Sequence, residues 1–347
     1  MFGNARSRTA AFFVSACWAA LLTLPACIPN RVTIDLAPSE GVLKEKRVFA
    51  DEGASALAPK VLLIDVAGLI SHSAQPGLIA GRGSVIDDVV ARLTKAEEDP
   101  RIAAVILRIN SPGGTVAGSE TLYNEIRRYR ERANKPVVIS MAEVAASGGY
   151  YVALAADRVI AQPSTITGSI GVIIQTVNFS KGMSMIGIEA RSVTSGSNKD
   201  LANPFEPVVE EHYGILQGAV NDFQDSFVAL VRDRRPALTA DRLAEATDGR
   251  IFTGRQALAL GLVDACGDLR DSFVAAKELA GLKAAQLVKY HSAGRAPGSP
   301  FAHAAAPATA QADGAGTPNQ INLVQVNLPE GLAPSVGFYY LWAPNLP

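Results

Sequence analysis

Val137-Val138-Ile139-Ser140-Met141-Ala142-Glu143-Val144-Ala145-Ala146-Ser147-Gly148-Gly149-Tyr150 is the stretch whose reading decides the fold. It opens on a short apolar run, Val137 to Met141, of the kind that forms a buried strand. Small residues follow, then an apolar segment of helical length, roughly Gly149 to Ala156. A strand that passes through a crowded turn into a helix is half of a strand–helix–strand unit.

The same alternation recurs on both sides. Val61 to Val66 and Ala103 to Ile109 read as buried strands. Apolar residues fall at helical spacing from Val85 to Ala96, and Leu122 to Arg132 reads as a helix with a charged face. Asp157 to Ile160 and Ile170 to Ile174 read as further strands. Strands alternating with helices of this length imply a parallel sheet with helical crossovers, an α/β fold. Beyond Pro207 the chain turns helical to about Arg234, with Leu216, Val220, Phe223, Phe227 and Leu230 three or four residues apart. Two short helices follow, Ala240 to Thr247 behind Thr239 as N-cap, and Thr253 to Leu260 closed by Gly261.

The ends of the chain differ from this middle. Arg6 and Arg8 precede an uncharged apolar stretch, Thr9 to Leu24, that ends in Leu24-Pro25-Ala26-Cys27. A positive end, an apolar region and a small residue before a cut make an export signal. The Leu and Ala placed before Cys27 resemble a bacterial lipobox, in which the Cys thiol takes a diacylglycerol and becomes the mature N-terminus. An uncleaved membrane helix and plain secretion are the alternatives, and all three put the rest of the chain outside the cytoplasm. Residues 28–57 read as a tether, 58–292 as the folded domain, 293–320 as an Ala/Pro/Gly-rich flexible linker and 321–347 as an apolar tail. In that tail Val324, Val326 and Leu328 alternate with polar residues, and Phe338 to Trp342 form an aromatic cluster that needs a partner surface.

Composition narrows the function. The 347 residues are 48% apolar and 19% charged, enough for a real core. Formal net charge is −1, and loss of residues 1–26 removes Arg6 and Arg8 but no acid, leaving −3. No basic face reads as a nucleic-acid footprint. With Cys17 in the apolar stretch and Cys27 the lipid candidate, Cys266 is left without an internal disulfide partner. No cluster of His and Cys points to a metal, and no cofactor is expected.

Two segments follow predicted parallel strands, where open α/β sheets place their sites. In Ile109-Asn110-Ser111-Pro112-Gly113-Gly114 the paired glycines let the backbone turn and leave N–H groups accessible to a developing oxyanion. An ordinary Pro-Gly turn is the plainer alternative. In Val144 to Tyr150 the turn can hold the Ser147 hydroxyl up at a helix N-terminus, the logic of a nucleophile elbow without its literal motif. The Gly148 N–H would then face the same oxyanion as Gly114. Ser147 as a simple helix cap is the alternative. Of the four histidines, His291 and His303 lie at or in the linker, while His72 and His212 carry no motif but are not excluded by position. A Ser-Lys dyad is the other route to an activated serine. Lys199, after a predicted strand and among small polar residues in Thr194 to Asp200, is the candidate. As a base it needs burial that brings its pKa from about 10.4 toward neutrality; otherwise it is a solvated loop lysine.

Several motifs in order resemble the bacterial signal peptide peptidase A family: Ile109 to Gly114, Ala146 to Tyr151, Thr167 to Gly171, Ser195 to Asp200, Phe252 to Ala257 and Gly261 to Asp264. The resemblance runs from Val61 to about Tyr290. It implies the Clp protease/crotonase-like fold of repeated ββα units in a spiral, here one catalytic domain with a helical extension. It implies Ser147 as nucleophile, Lys199 as general base, Ser169 as the hydroxyl that orients the lysine, and the N–H groups of Gly114 and Gly148 as the oxyanion hole. It further implies apolar peptides such as signal-peptide remnants as substrates, and a homo-octamer whose sites pair Ser147 with the lysine of a neighbouring subunit. The tail beyond 293 lies outside the resemblance; it either lies in a substrate groove as an added strand or staples neighbouring subunits. A crotonase-type enzyme acting on coenzyme A thioesters, or a non-catalytic membrane scaffold, are the competing readings.

Overall fold

The computed structural model describes residues 43–73, 84–292, 297–302 and 338–342. The export signal, Cys27 and the alternating 324–328 segment lie outside them. Among the described residues no helix is long and apolar enough to cross a membrane.

Nine strands form one sheet: β1 (Lys44–Ala50), β2 (Lys60–Ala67), β3 (Ile102–Ser111), β5 (Val137–Ala146), β6 (Arg158–Ala161), β7 (Ile166–Gly168), β8 (Ile251–Thr253), β9 (Ala265–Cys266) and β10 (Gln286–His291). Their order is β1-β10-β2-β3-β5-β6-β9, with β7 pairing with both β5 and β8. Every pairing from β10 through β9 is parallel, as expected; β1 and β8 run antiparallel to their neighbours. Two short strands, β4 (Gly113–Thr115) and β11 (Tyr339–Leu341), form a second, antiparallel sheet.

Alternation along the central strands builds two cores. Leu62, Ile64 and Val66 face one side, with Val105, Leu107 and Ile109 beside them; Val61, Leu63, Ala104 and Ile106 face the other. The first face is covered by α1 (Val85–Glu98), α2 (Val116–Ala133), α3 (Gly148–Ala153) and residues of α5 (Glu210–Arg234). The second is covered by α8 (Leu269–Leu279), whose Phe273 packs edge-on against Phe49 of β1. Helices α4 (Ser180–Met185), α6 (Ala240–Ala246) and α7 (Gly254–Leu260) complete the chain order. Thr239 caps α6 and Gly261 closes α7 at φ 99°, both as expected, while Thr253, counted within the helix, is instead its N-cap.

Four expectations are corrected. Lys44–Ala50, placed in a tether by its charges, is an edge strand on β10. Ile170 to Ile174 is not a strand; the strand is three residues at Ile166–Gly168, and only Ile173 makes an isolated bridge. No strand leads into Lys199: none lies between Gly168 and Lys199. The linker is anchored at its start: buried Lys289 donates to the carbonyls of Pro300 and Ala302 while it pairs with Asp65.

Candidate active site

The site grows from the carboxyl ends of β3 and β5. At the end of β3, Ser111 donates through Oγ to the Gly68 carbonyl (2.6 Å) and accepts from the Gly113 N–H (3.1 Å), which bends the chain into β4. Gly113 sits at φ 114°, in the region L side chains avoid. The glycine at 114 answers a different need. A Cβ there would lie 1.8 Å from the Ile70 carbonyl oxygen, so only glycine admits this approach.

Ser147 stands between β5 and α3 with φ 52° and ψ −114°, a conformation costing roughly 1–3 kcal/mol for a residue with a side chain. The surroundings impose it. Its N–H donates to the Gly168 carbonyl (2.8 Å), and its carbonyl accepts from Tyr151 in the first turn of α3 (2.9 Å). The hydroxyl makes no capping bond and reaches only the Gly171 carbonyl, at 3.5 Å. Ser147 thus holds the N-cap position without capping through its side chain, which is held at the turn without a strong partner.

Two backbone segments close on this turn. The point a Cβ on Gly148 would occupy is 3.0 Å from the Gly114 nitrogen, and that of Gly113 is 2.8 Å from the Gly148 nitrogen. Gly148 opens α3, where N–H groups have no intrahelical acceptor. Gly114 and Gly148 are thus brought together beside Ser147, as the motifs lead one to expect.

Ser169 joins them. Ala146 pairs with Gly168 across β5 and β7, so Ser147 and Ser169 are the residues that leave the same ladder rung. Ser169 has φ 49°, is buried, and donates its N–H to the Arg250 carbonyl (2.7 Å).

Lys199 is not part of this cluster within one chain. It lies exposed on a turn whose backbone bond runs from its own N–H to the Gly196 carbonyl (3.1 Å). That loop is tied down by His212, whose Nε2 is 2.9 Å from the Ser197 carbonyl. His72 instead meets Thr121 Oγ1 (3.1 Å). Among the described hydrogen bonds no histidine reaches Ser147.

The tail takes one of the two placements expected of it, that of an added strand. The tail strand β11 lies on β4, with Tyr340 opposite Gly114, and bridges to Ile173 on its other edge through paired bonds of 3.0 Å from Tyr339. The Tyr340 ring is buried against Tyr151 and Phe227. The aromatic density of residues 338–342 was the signal that this segment needs a partner.

A parallel sheet with a strained serine at a strand-to-helix turn places the molecule among the α/β proteins that build their active sites at the carboxyl ends of strands. Comparison with known proteins sharpens this. The model of Peptidase family S49 matches residues 129–283. The chain is 34% identical over 223 residues to a putative protease of Synechocystis, covering 64% of this chain and 75% of that one. It is 32% identical over 240 residues to the putative signal peptide peptidase SppA of Enterococcus faecium, covering 69% of each. Protease 4 of Salmonella typhi is 37% identical over 212 residues, which make up 60% of this chain but only 32% of that protein. The chain belongs to the signal peptide peptidase A family, Peptidase family S49, and is a serine peptidase. The coenzyme A and scaffold readings are thereby set aside.

Proposed function

We propose that the protein is an envelope-bound endopeptidase that cuts apolar peptides, among them spent signal peptides, with Ser147 as nucleophile and Lys199 of a neighbouring subunit as base. The observation that carries this reading is Ser147 itself, held at φ 52° with the backbones of Gly114 and Gly148 packed around it. A residue strained in this way persists only where its surroundings enforce it, and such positions concentrate at catalytic sites.

The chemistry follows from the positions. The Ser147 Oγ attacks the peptide carbonyl while the Lys199 amine takes its proton. The oxygen, now negative, accepts from the N–H groups of Gly114 and Gly148, which need no rearrangement to meet it. The lysine returns the proton to the leaving amine, and water then hydrolyses the acyl ester. Ser169 orients the amine. An exposed Lys199 on a loop rich in exposed apolar residues supports a base supplied across an interface, in a ring of copies for which eight is the expected number. The export signal and Cys27 support a lipid anchor outside the cytoplasm, close to signal-peptide remnants.

Labelling with a fluorophosphonate, followed by mapping of the modified residue, tests the reading. Modification of Ser147, lost in Lys199→Ala, is expected; an unlabelled Ser147 in an assembled protein sinks it.

A further inference from the structure

His212 does not reach Ser147, yet it is the one residue buried between Gly171 and Ser226. Along that stretch apolar side chains such as Met185, Ile186 and Val193 face water, and the side chain withdrawn from it is a histidine. A buried imidazole needs hydrogen-bond partners for its nitrogens.

The partner is the turn that carries Lys199. Nε2 lies 2.9 Å from the Ser197 carbonyl. A carbonyl oxygen only accepts, so Nε2 holds the proton and donates it to the bond. Every other described hydrogen bond of residues 194–199 stays inside the turn: the Gly196 carbonyl accepts from the Lys199 N–H (3.1 Å) and from Thr194 Oγ1 (3.0 Å). His212 is therefore what joins the lysine turn to a helix, two residues before Lys199 itself. The helix end of this tie is firm. His212 stands in the first turn of α5, with its N–H on the Val209 carbonyl (3.1 Å), and α5 runs on to Phe227 and Val231 in the core.

Tyr213, next in the same turn, ties in another direction. Its hydroxyl lies 3.2 Å from Thr176 Oγ1, on the segment that leaves this protomer's own cleft past Gly171. The start of α5 thus gives one side-chain bond to the base turn and a separate one to the chain beside its own serine.

A lysine that serves a serine in another subunit gains from such a brace. Its side chain and its turn both give up freedom when the amine meets the hydroxyl. A turn fixed before assembly has already given up its share, and holding a reacting group in place is worth orders of magnitude in rate.

We infer that His212 is a positioning residue for Lys199: its Nε2–H, acting through the Ser197 carbonyl, sets where the amine stands in the neighbouring subunit's site. The inference rests on the proposed dyad. It concerns the transfer of the Ser147 proton to Lys199, so it governs kcat and leaves peptide binding alone.

The test uses full-length chains. His212→Gln and His212→Asn carry the same amide and differ in reach: the Gln nitrogen stands near the place of Nε2, the Asn nitrogen near that of Nδ1. His212→Phe keeps a ring without the donor, and Tyr213→Phe removes the neighbouring bond as a control. Light scattering gives the oligomer, and kcat and KM are measured on an apolar peptide beside the parent and Lys199→Ala. His212→Asn and His212→Phe are expected to lower kcat by about 10- to 100-fold, with KM within about 3-fold and the oligomer intact. His212→Gln is expected to stay within about 5-fold of the parent kcat and Tyr213→Phe within about 3-fold. Equal kcat in His212→Gln and His212→Asn overturns the inference, and this pair decides even if His212→Phe fails to fold. A loss in KM instead of kcat, loss of the oligomer in His212→Asn, or equal damage from Tyr213→Phe also overturns it. If Lys199→Ala keeps full activity, the dyad falls and the inference with it; an inactive Lys199→Ala beside a parent-like His212→Asn sinks the inference alone.

Discussion

The cleft around Ser147 and the arm that carries Lys199 are built on opposite terms. Around Ser147 nearly every atom is fixed from within the chain: Gly113, Gly114, Gly148 and Gly149 admit backbone approaches that no side chain would, and β4, β5 and β7 end within one turn of each other. Along residues 173–209 the apolar residues face outward instead. Met185 is 88% exposed, Ile186 73% and Val193 fully so, and α4 contributes no buried residue. Scattered exposed apolar residues are ordinary, but a run of them on one segment marks a surface that another chain covers. On the proposed dyad, the nucleophile half of the site lies within one protomer and the base half comes from a partner.

The largest effects test that division directly. Ser147→Ala and Lys199→Ala are each expected to lower kcat by about 10⁴-fold or more, since neither half of a dyad acts alone. Mixing the two inactive variants then distinguishes a shared site from a self-contained one. In a randomly mixed ring, about a quarter of the interfaces join an intact serine to an intact lysine, so activity returns to about a quarter of the parent level. A mixture that stays inactive, though the subunits co-assemble, breaks the comparison.

Next in size is the backbone of the cleft. Gly114→Ala puts a Cβ 1.8 Å from the Ile70 carbonyl, so β4 must shift and carry the Gly114 N–H out of position. A loss of about 10²- to 10³-fold in kcat is expected, the scale of one oxyanion donor. Because the substitution alters none of the exposed apolar residues of the arm, the oligomer measured by light scattering is expected to remain unchanged.

A smaller change, of opposite sign, comes from the tail. Deleting residues 321–347 removes β11 from the cleft and is expected to raise hydrolysis of apolar peptides by about 10-fold with the oligomer intact. Loss of the oligomer would instead identify the tail as a staple between subunits.

These contrasts also show what the sequence could and could not disclose. The buried strands were legible because short, mainly apolar runs rich in Val and Ile at 61–66, 103–109 and 137–141 have few other uses. The turn glycines were legible because paired glycines after a strand imply close backbone approach. Lys44–Ala50 was hidden because an edge strand bearing Lys44, Glu45, Lys46 and Arg47 looks like solvated linker; charge on an edge is what keeps it from pairing with strangers. Ile170–Ile174 misled for the reverse reason. Its apolar side chains have the composition of a strand, but the partner that would complete a ladder there is a tail some 165 residues away, and only Ile173 bonds to it. The meeting of Gly114, Gly148, Ser147 and Ser169 came from motif order, not from local pattern, because no local rule says which turns share a sheet end.

The smallest expected effect separates packing from hydrogen bonding inside the cleft. Ser119, on α2, is fully buried with its Oγ unpartnered, and that oxygen lies 2.3 Å from where a Gly148 Cβ would sit. A buried hydroxyl that makes no bond gives up little when it is removed, and its desolvation cost goes with it. Ser119→Ala is therefore expected to change stability by less than about 1 kcal/mol, in either direction, and to leave kcat within about 3-fold of the parent. Ser119→Val keeps the site free of polar atoms but adds bulk against Gly148, so it is expected to lower kcat more than Ser119→Ala does while the arm and the oligomer stay as they were. Denaturant midpoints and peptide hydrolysis on the two variants decide it. If Ser119→Ala proves as damaging as Ser119→Val, the cleft depends on a hydrogen bond of Ser119 made only when a peptide is bound, and the shape of the Gly148 turn is not fixed by packing alone.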